Sequence, residues 1–200
     1  MAELVIETTK NTEQQTEKIQ QYTYEEAFKE SLNYFNDDSL CSSSFLGKYA
    51  LRDKENNILE STPDSMHKRL SREFARIEKK YKDPMSEDEI YNYFKDFKWI
   101  VPQGSPMSAI GNNYHIQSTS NCFVIGGNNL DSYGGIMKLD QEQAQLMKRR
   151  GGVGFDISFI RPKGTLIHNA AHSSTGIGAY MERFSNTCRE VAQNGRRGAL

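Results

Sequence analysis

Two hundred residues, 36% of them hydrophobic, suffice for one ordinary domain or for the front part of a larger one. No stretch approaches the roughly eighteen apolar residues of a membrane span, and the acidic, Gln-rich start has no secretory core, so a cytoplasmic protein without a membrane partner is expected. Net charge is −1, yet residues 1–100 carry 15 Lys/Arg against 20 Asp/Glu and residues 101–200 carry 10 against 6, which directs any anion binding to the second half and excludes the dense basic stripe of a duplex-binding surface.

Residues 1–21, rich in Thr, Gln, Glu and Lys, read as a disordered leader. Thr23 with Glu26 three positions on forms a capping-box pattern for a helix to about Tyr34, its apolar residues Ala27, Phe28, Leu32 and Phe35 on one face. Leu46 to Leu51 fits a short strand or an extended helix end, and Asp53–Asn57 a turn. Thr62-Pro63-Asp64 opens a long helix to about Lys80, with Met66, Leu70, Phe74 and Ile77 as its buried stripe. Arg69, Arg72, Glu73, Arg76 and Glu78 are expected on its solvated faces. Ser86 to Phe97 makes a further helix, so residues 22–100 read as a helical scaffold.

The pattern changes at Val101, where Pro102-Gln103-Gly104-Ser105-Pro106 breaks the helical rhythm. Asn121 to Ile125 is expected as a buried strand, and 131–150 as a helix with Ile136, Leu139, Gln143 and Leu146 on one face. Val153 to Ile157 is a second strand. A last helix over 175–193 aligns Ile177, Tyr180, Met181, Phe184, Cys188 and Val191. Strand, helix, strand, helix is the rhythm of an α/β domain, with loops after the strands open to ligands.

Four short motifs stand out in this half. Gly151-Gly152-Val153-Gly154 lets backbone amides approach a phosphate, but it leaves a helix and enters a strand, the reverse of a dinucleotide fingerprint; tight helix–strand packing is its plainer explanation. Arg161 and Lys163 flank Pro162 and could clamp an anion or lie in a solvated loop. Arg196-Arg197 between glycines is a second basic loop. Cys122, in Ser120-Asn121-Cys122-Phe123, is either a small core residue or a reactive thiol. Cys41, Cys122 and Cys188 are too scattered for a disulfide scaffold, and His115, His168 and His172 fit no zinc spacing, so no metal site is expected.

In order and spacing these segments resemble the N-terminal part of a ribonucleotide reductase catalytic (alpha) subunit. The likeness covers about residues 22 to 200 and is strongest from Gly104 onward. The lead-in, including Lys48-Tyr49-Ala50-Leu51 and Met66-His67-Lys68-Arg69-Leu70, resembles the adenosylcobalamin-dependent branch. The fold implied is a helical region over 22–100 followed by the first strands and helices of an incomplete reductase α/β barrel over 101–200.

The resemblance also implies residue roles. Cys122 matches the first cysteine of the redox pair that reduces the ribose 2′ position, its partner lying in a barrel segment not represented in these residues. Ser105, Asn121 and Gly152 match positions that hold the substrate's phosphates and ribose. Segments 126–133 and 160–169 match the walls of a specificity site for a deoxynucleoside triphosphate or ATP effector. Arg161 matches a phosphate-binding arginine there, with Lys163 beside it. Asp131 is the candidate for the effector's ribose or base, with Asn128 and Asn129 as rivals. Residues 193–200 match the loop joining effector and substrate sites, Arg197 touching the substrate base.

Further expectations follow from the family. A thioredoxin- or glutaredoxin-type reductant would serve the redox pair, and helices 131–150 and 175–193 would suit a homodimer interface. Adenosylcobalamin, or alternatively a metal-containing radical-generating subunit, would serve the whole enzyme, neither being held by this segment alone. The segment lacks the Val-x-Lys-Arg-Asp/Asn-Gly pattern of an ATP-cone and the barrel bearing the radical cysteine. It is therefore expected to be inactive alone, as a fragment or one piece of a split reductase completed by a C-terminal barrel chain. A non-catalytic nucleotide-binding regulatory or assembly module is the alternative. A helical protein whose Gly/Arg loops bind RNA is a third reading, though no nucleic-acid partner is expected.

Overall fold

The computed structural model describes residues 20–127 and 131–191. Seven α-helices and two strands follow one another there as α1 (Tyr24–Tyr34), α2 (Ser39–Lys48), α3 (Pro63–Glu78), α4 (Glu87–Phe94), α5 (Ser105–Ala109), β1 (Cys122–Gly126), α6 (Tyr133–Met147), β2 (Gly152–Asp156) and α7 (Ile177–Val191).

Local chemistry sets the helix starts. Thr23 Oγ1 accepts from the Glu26 amide at 3.3 Å while the Glu26 carboxylate accepts from the Thr23 amide at 2.8 Å, the reciprocal capping box expected for α1. Ser86 and Glu89 repeat it at α4. Pro63 occupies the first turn of α3, where its missing N–H costs nothing. The helix expected over 86–97 ends earlier: α4 stops at Phe94, and a single 3-10 turn over Lys95–Phe97 is bent by left-handed backbone at Asp96 (φ 54°).

The structure decides or corrects three further expectations. Of the two alternatives for Leu46 to Leu51, the helix end holds as far as Lys48: Leu46 lies inside α2, a Ser-rich helix of weak propensity capped by Asp38, whose carboxylate accepts from the Cys41 amide at 2.8 Å. The break expected over 102–106 ends at Gly104, because α5 begins at Ser105 and Pro106 is tolerated in its first turn. Arg69 is not solvated. Its side chain is 9% exposed and ion-paired at 2.7 Å with Glu60, itself 5% exposed. The Arg69 guanidinium also donates to the carbonyls of Met107 (2.8 Å) and Ile110, and Glu60 accepts from the Leu51 amide at 2.9 Å. A charge so fully shared can be buried.

Two apolar cores result. The first joins Ala27, Phe45, Leu46, Ile58, Met66 and Leu70 with Ile90 and Phe94, and Met107 and Ile110 pack against it. The second is built from Ile136, Leu139, Ile160 and Phe184, with Phe155 stacked on Phe184 at 4.6 Å between ring centres. Arg150 bridges them: its guanidinium donates to the Lys48 carbonyl (2.9 Å), Ser108 Oγ (2.6 Å) and Gln117 Oε1 (2.9 Å).

β1 and β2 pair in parallel, Cys122 opposite Gly152 through Gly126 opposite Asp156, as an open two-stranded sheet beside α6. β1 is not the buried strand expected. Exposure alternates along it, with Cys122 and Val124 exposed and Phe123 and Ile125 half-buried, because only one face of the sheet is covered. The fold is thus mixed α/β, helices first and an incomplete parallel sheet after.

Two stability tests follow. Arg69→Met strands the Glu60 carboxylate and is expected to cost about 3–5 kcal/mol in denaturant unfolding. Arg72→Met, at a 74% exposed side chain 3.7 Å from Glu87, should change stability by less than about 1 kcal/mol. Equal effects would refute the assignment of Arg69 as the anchor.

His67 offers the second. It is fully buried against Phe94 and Phe97, and neither ring nitrogen has a partner among the described residues. Burial pushes its pKa below the ordinary histidine value, opposed by the charges of Asp64 and Asp96. The unfolded chain therefore binds the proton more readily. Stability from neutral His67 is complete above about pH 6.5 and declines as pH falls below it. The thermal midpoint should drop more steeply from pH 6.5 to 5 in the parent than in His67→Leu; parallel curves would show that His67 does not set the slope.

Candidate functional site

The parallel register creates two neighbourhoods, one at each end of the strands. At the N-terminal end, Asn121 is the organiser. Its side-chain Oδ1 accepts from the Ser105 amide at 2.8 Å, and its carbonyl accepts from the Gly152 amide at 2.7 Å. Cys122 follows directly and faces Gly152 across the ladder. Ser105, 2% exposed, begins α5 after Gly104 turns the chain with φ 51°. Ser105, Asn121, Cys122 and Gly152, far apart in sequence, are thereby brought together. The Cys122 side chain faces the uncovered side of the sheet, and no disulfide joins Cys41, Cys122 and Cys188.

The glycine run has a packing reason at its first member. A Cβ on Gly151 would sit 2.8 Å from the Phe123 ring and 3.1 Å from the Leu146 carbonyl, so the turn from α6 into β2 needs glycine there. At the far end of the ladder a Cβ on Gly126 would run into the Asp156 carbonyl, and Gly126 has φ 120°. Glycine there lets β1 close against β2 before the chain departs toward Asp131.

Beyond the C-terminal ends lies a cleft of about 740 Å³ between the start of α6, the segment 160–175 and α7. The segment folds back on itself: Gly164 donates to the Ser174 carbonyl and Ser174 to the Thr165 carbonyl, both at 2.9 Å, and Ile167 donates to the His172 carbonyl at 3.0 Å. Asp131 and Arg161 meet at the cleft wall. Arg161 Nε donates to both Asp131 carboxylate oxygens, at 2.9 and 2.8 Å, and the Arg161 amide donates to Oδ1 at 3.1 Å. Hydrogen bonding from Arg161 holds the Asp131 carboxyl below the ordinary value, and the same contact raises the Arg161 pKa.

His168 also lines the cleft, whereas Lys163 is exposed on the same loop and does not. Asn128, Asn129 and Arg197 lie outside the described residues, as does the loop 193–200. Tyr133, at the end of the expected wall 126–133, lines the cleft, and two further lining residues escaped the sequence reading as site residues: Tyr180 and Arg183. Tyr180 was expected only as part of an apolar stripe, and Arg183, three positions on, shares its side of α7. That i, i+3 spacing was the available signal.

The helices of this half start and stop close to expectation. α6 occupies Tyr133–Met147 within 131–150, its cap Ser132 accepting from the Gly135 amide at 3.0 Å. Ile136, Leu139 and Gln143 are buried, while Leu146 is half-buried and Met147 takes the inner position. On α7 only Phe184 of the expected stripe is buried, and Ile177 and Met181 are exposed.

Comparison with known proteins adds an independent line. Residues 120–200 match the family model for the barrel domain of ribonucleotide reductase. The ribonucleoside-diphosphate reductase large subunit of variola virus is 29% identical over 174 residues, covering 87% of this chain and 20% of that protein. Large chain 2 of the Saccharomyces cerevisiae enzyme is 37% identical over 78 residues, 39% of this chain and 9% of that protein. The alpha subunit of the Helicobacter pylori enzyme is 26% identical over 154 residues, 76% and 18% respectively. The chain spans about one fifth of the length of the viral relatives it matches. By the barrel-domain match over residues 120–200 and by these likenesses, the chain is similar to the large subunits of ribonucleotide reductases.

Proposed function

We propose that this chain supplies the N-terminal part of a ribonucleotide reductase, contributing one redox thiol, part of the substrate site and an allosteric nucleotide cleft. The observation that carries the reading is the parallel pairing of β1 with β2, which gathers Ser105, Asn121, Cys122 and Gly152 at one end and Asp131 with Arg161 at the other. The names of the relatives support ribonucleoside diphosphates as substrates.

Replacing a ribose 2′-hydroxyl by hydrogen takes two electrons. Two thiols become one disulfide, the hydroxyl leaves as water, and Cys122 is the thiol this chain brings. Its partner belongs to a companion barrel chain or segment, and a thioredoxin- or glutaredoxin-type protein would restore the pair. Asn121 fixes the strand end through its own backbone and side-chain bonds, so the neighbouring thiol has little freedom relative to Gly152.

In the cleft, Arg161 offers a guanidinium to a triphosphate and Asp131 an acceptor for a ribose hydroxyl or a base. Effector and ion pair then compete for the same donors, a form of coupling between ligand and loop conformation. The exposed Ile177 and Met181 support α7, with α6, as a homodimer surface. The lead-in's likeness to the cobalamin-dependent branch makes adenosylcobalamin the proposed radical source, with a metal-containing subunit as the alternative. The described residues contain no cluster of three or more His, Cys, Asp or Glu able to hold a metal ion. The thiol and anion roles above are independent of which group generates the radical. No helix among the described residues is long and apolar enough to cross a membrane.

Two measurements test the reading. With a polypeptide carrying the remaining barrel added, the parent chain should support reduction, and Cys122→Ser should lose turnover while keeping its circular dichroism. Turnover that survives the substitution would sink the redox role. Arg161→Ala should weaken dNTP or ATP binding about tenfold or more in calorimetry, the scale of a lost charge-assisted contact. Nucleotide binding without any complemented activity would favour a regulatory module, and RNA binding in place of dNTP binding a different protein class.

A further inference from the structure

The cleft holds two guanidinium groups in very different states. Arg161 is committed: besides Asp131 it reaches the carbonyls of Leu166 and Asp131, each at 3.4 Å. Arg183 is not. Its Nε donates to Asp140 Oδ2 at 2.8 Å, and its other N–H donors have no acceptor among the described residues. A guanidinium carries five such donors in a planar fork, so most of this one is open.

The anchor beneath it is firm. The Asp140 side chain is 11% exposed while Arg183 is 46% exposed, so the pair runs from the α6–α7 seam outward. Asp140 Oδ1 is buried without a partner among the described residues, which ties that carboxylate more strongly to its one cation. Arg183 lines the 740 Å³ cleft together with Arg161 and His168, and also a second groove of about 650 Å³ between α6 and α7.

We propose that Arg183 is a phosphate-binding residue of the cleft, held in place by Asp140 and presenting its unoccupied N–H edge to an anionic ligand. Asp140 is a positioning residue: it fixes the fork through Nε and leaves the terminal nitrogens for bidentate capture of phosphate oxygens. An arriving anion meets Arg183 without displacing any protein contact, whereas Arg161 must first be exchanged from Asp131. This deepens the nucleotide-cleft reading and rests on it for the ligand's identity, but not for its charge.

The test is titration of the full chain with inorganic tripolyphosphate and with dTTP by calorimetry, at low and moderate salt. Arg183→Ala should weaken both ligands about fivefold to tenfold and flatten the salt dependence, as expected for one charge-assisted contact. Arg183→Lys should restore part of the loss. Should Arg183→Ala fail to fold, Arg183→Gln retains a donor for Asp140 and is read in its place. Unchanged affinity in the folded variant, with binding still lost in Arg161→Ala, overturns the proposal and leaves the nucleotide cleft standing. Arg183-dependent tripolyphosphate binding without dTTP binding supports the anion site and removes the nucleotide reading. Binding of neither ligand by the parent chain overturns both.

Discussion

The pairing of β1 with β2 is the constraint on which both candidate sites depend. In a parallel pair the two strands begin at the same edge and end at the same edge. The residues that lead into the strands, Asn121 and Gly151, therefore meet, and the residues reached after them, Asp131 and Arg161, meet as well. An antiparallel pairing would have put Cys122 beside Asp156. A shift of register by one residue would have turned the Cys122 side chain to the face that Phe123 now occupies. Gly126 and Gly151 hold that register at its two ends, one by allowing backbone to approach backbone and the other by allowing an aromatic ring onto the turn.

The two prominent Arg–carboxylate pairs show how burial separates scaffold from site. Glu60 and Arg69 are both almost sealed, and every neighbour they bond is protein, so neither can be released without leaving an uncompensated charge. Asp131 and Arg161 make bonds of similar length but remain 38% and 33% exposed. Water screens that pair, and exposed pairs contribute only about 0–1 kcal/mol. A ligand can replace such a contact at little cost. Equal geometry thus gives a permanent tie in one place and an exchangeable one in the other.

Sequence pattern made the capped helices legible because their signals are local: Thr23 with Glu26, Ser86 with Glu89 and Pro63 each act within one turn. The meeting of Ser105, Asn121, Cys122 and Gly152 was legible only through family resemblance, since no local rule pairs residues so distant. What escaped detection depends on tertiary context. α2 is rich in serine, with Leu40, Leu46 and Lys48 as its good helix formers, and is held by burying Phe45 and Leu46. Arg69 looks like any solvated helix residue until Glu60 folds back over it. Arg183 carries no motif beyond its i, i+3 spacing from Tyr180, and its pairing with Asp140 becomes visible when α7 is set against α6. Cys122 was read as buried because its segment is apolar, and apolarity alone does not say which face of a strand is covered.

That last error is informative. A parallel sheet is ordinarily covered on both faces, since its strands are apolar throughout and its connections put helices against them. Here α6 and the second core cover one face, while Cys122 and Val124, the latter 84% exposed, look outward from the other. A side chain as apolar as Val124 gains roughly 1.5–3 kcal/mol on full burial, so this face favours an apolar neighbour. Under the proposed function the neighbour is the remaining barrel, and the exposed face becomes its interior. Covering it would move Cys122 from water into the barrel interior, beside the second thiol on which the proposed two-electron reduction depends.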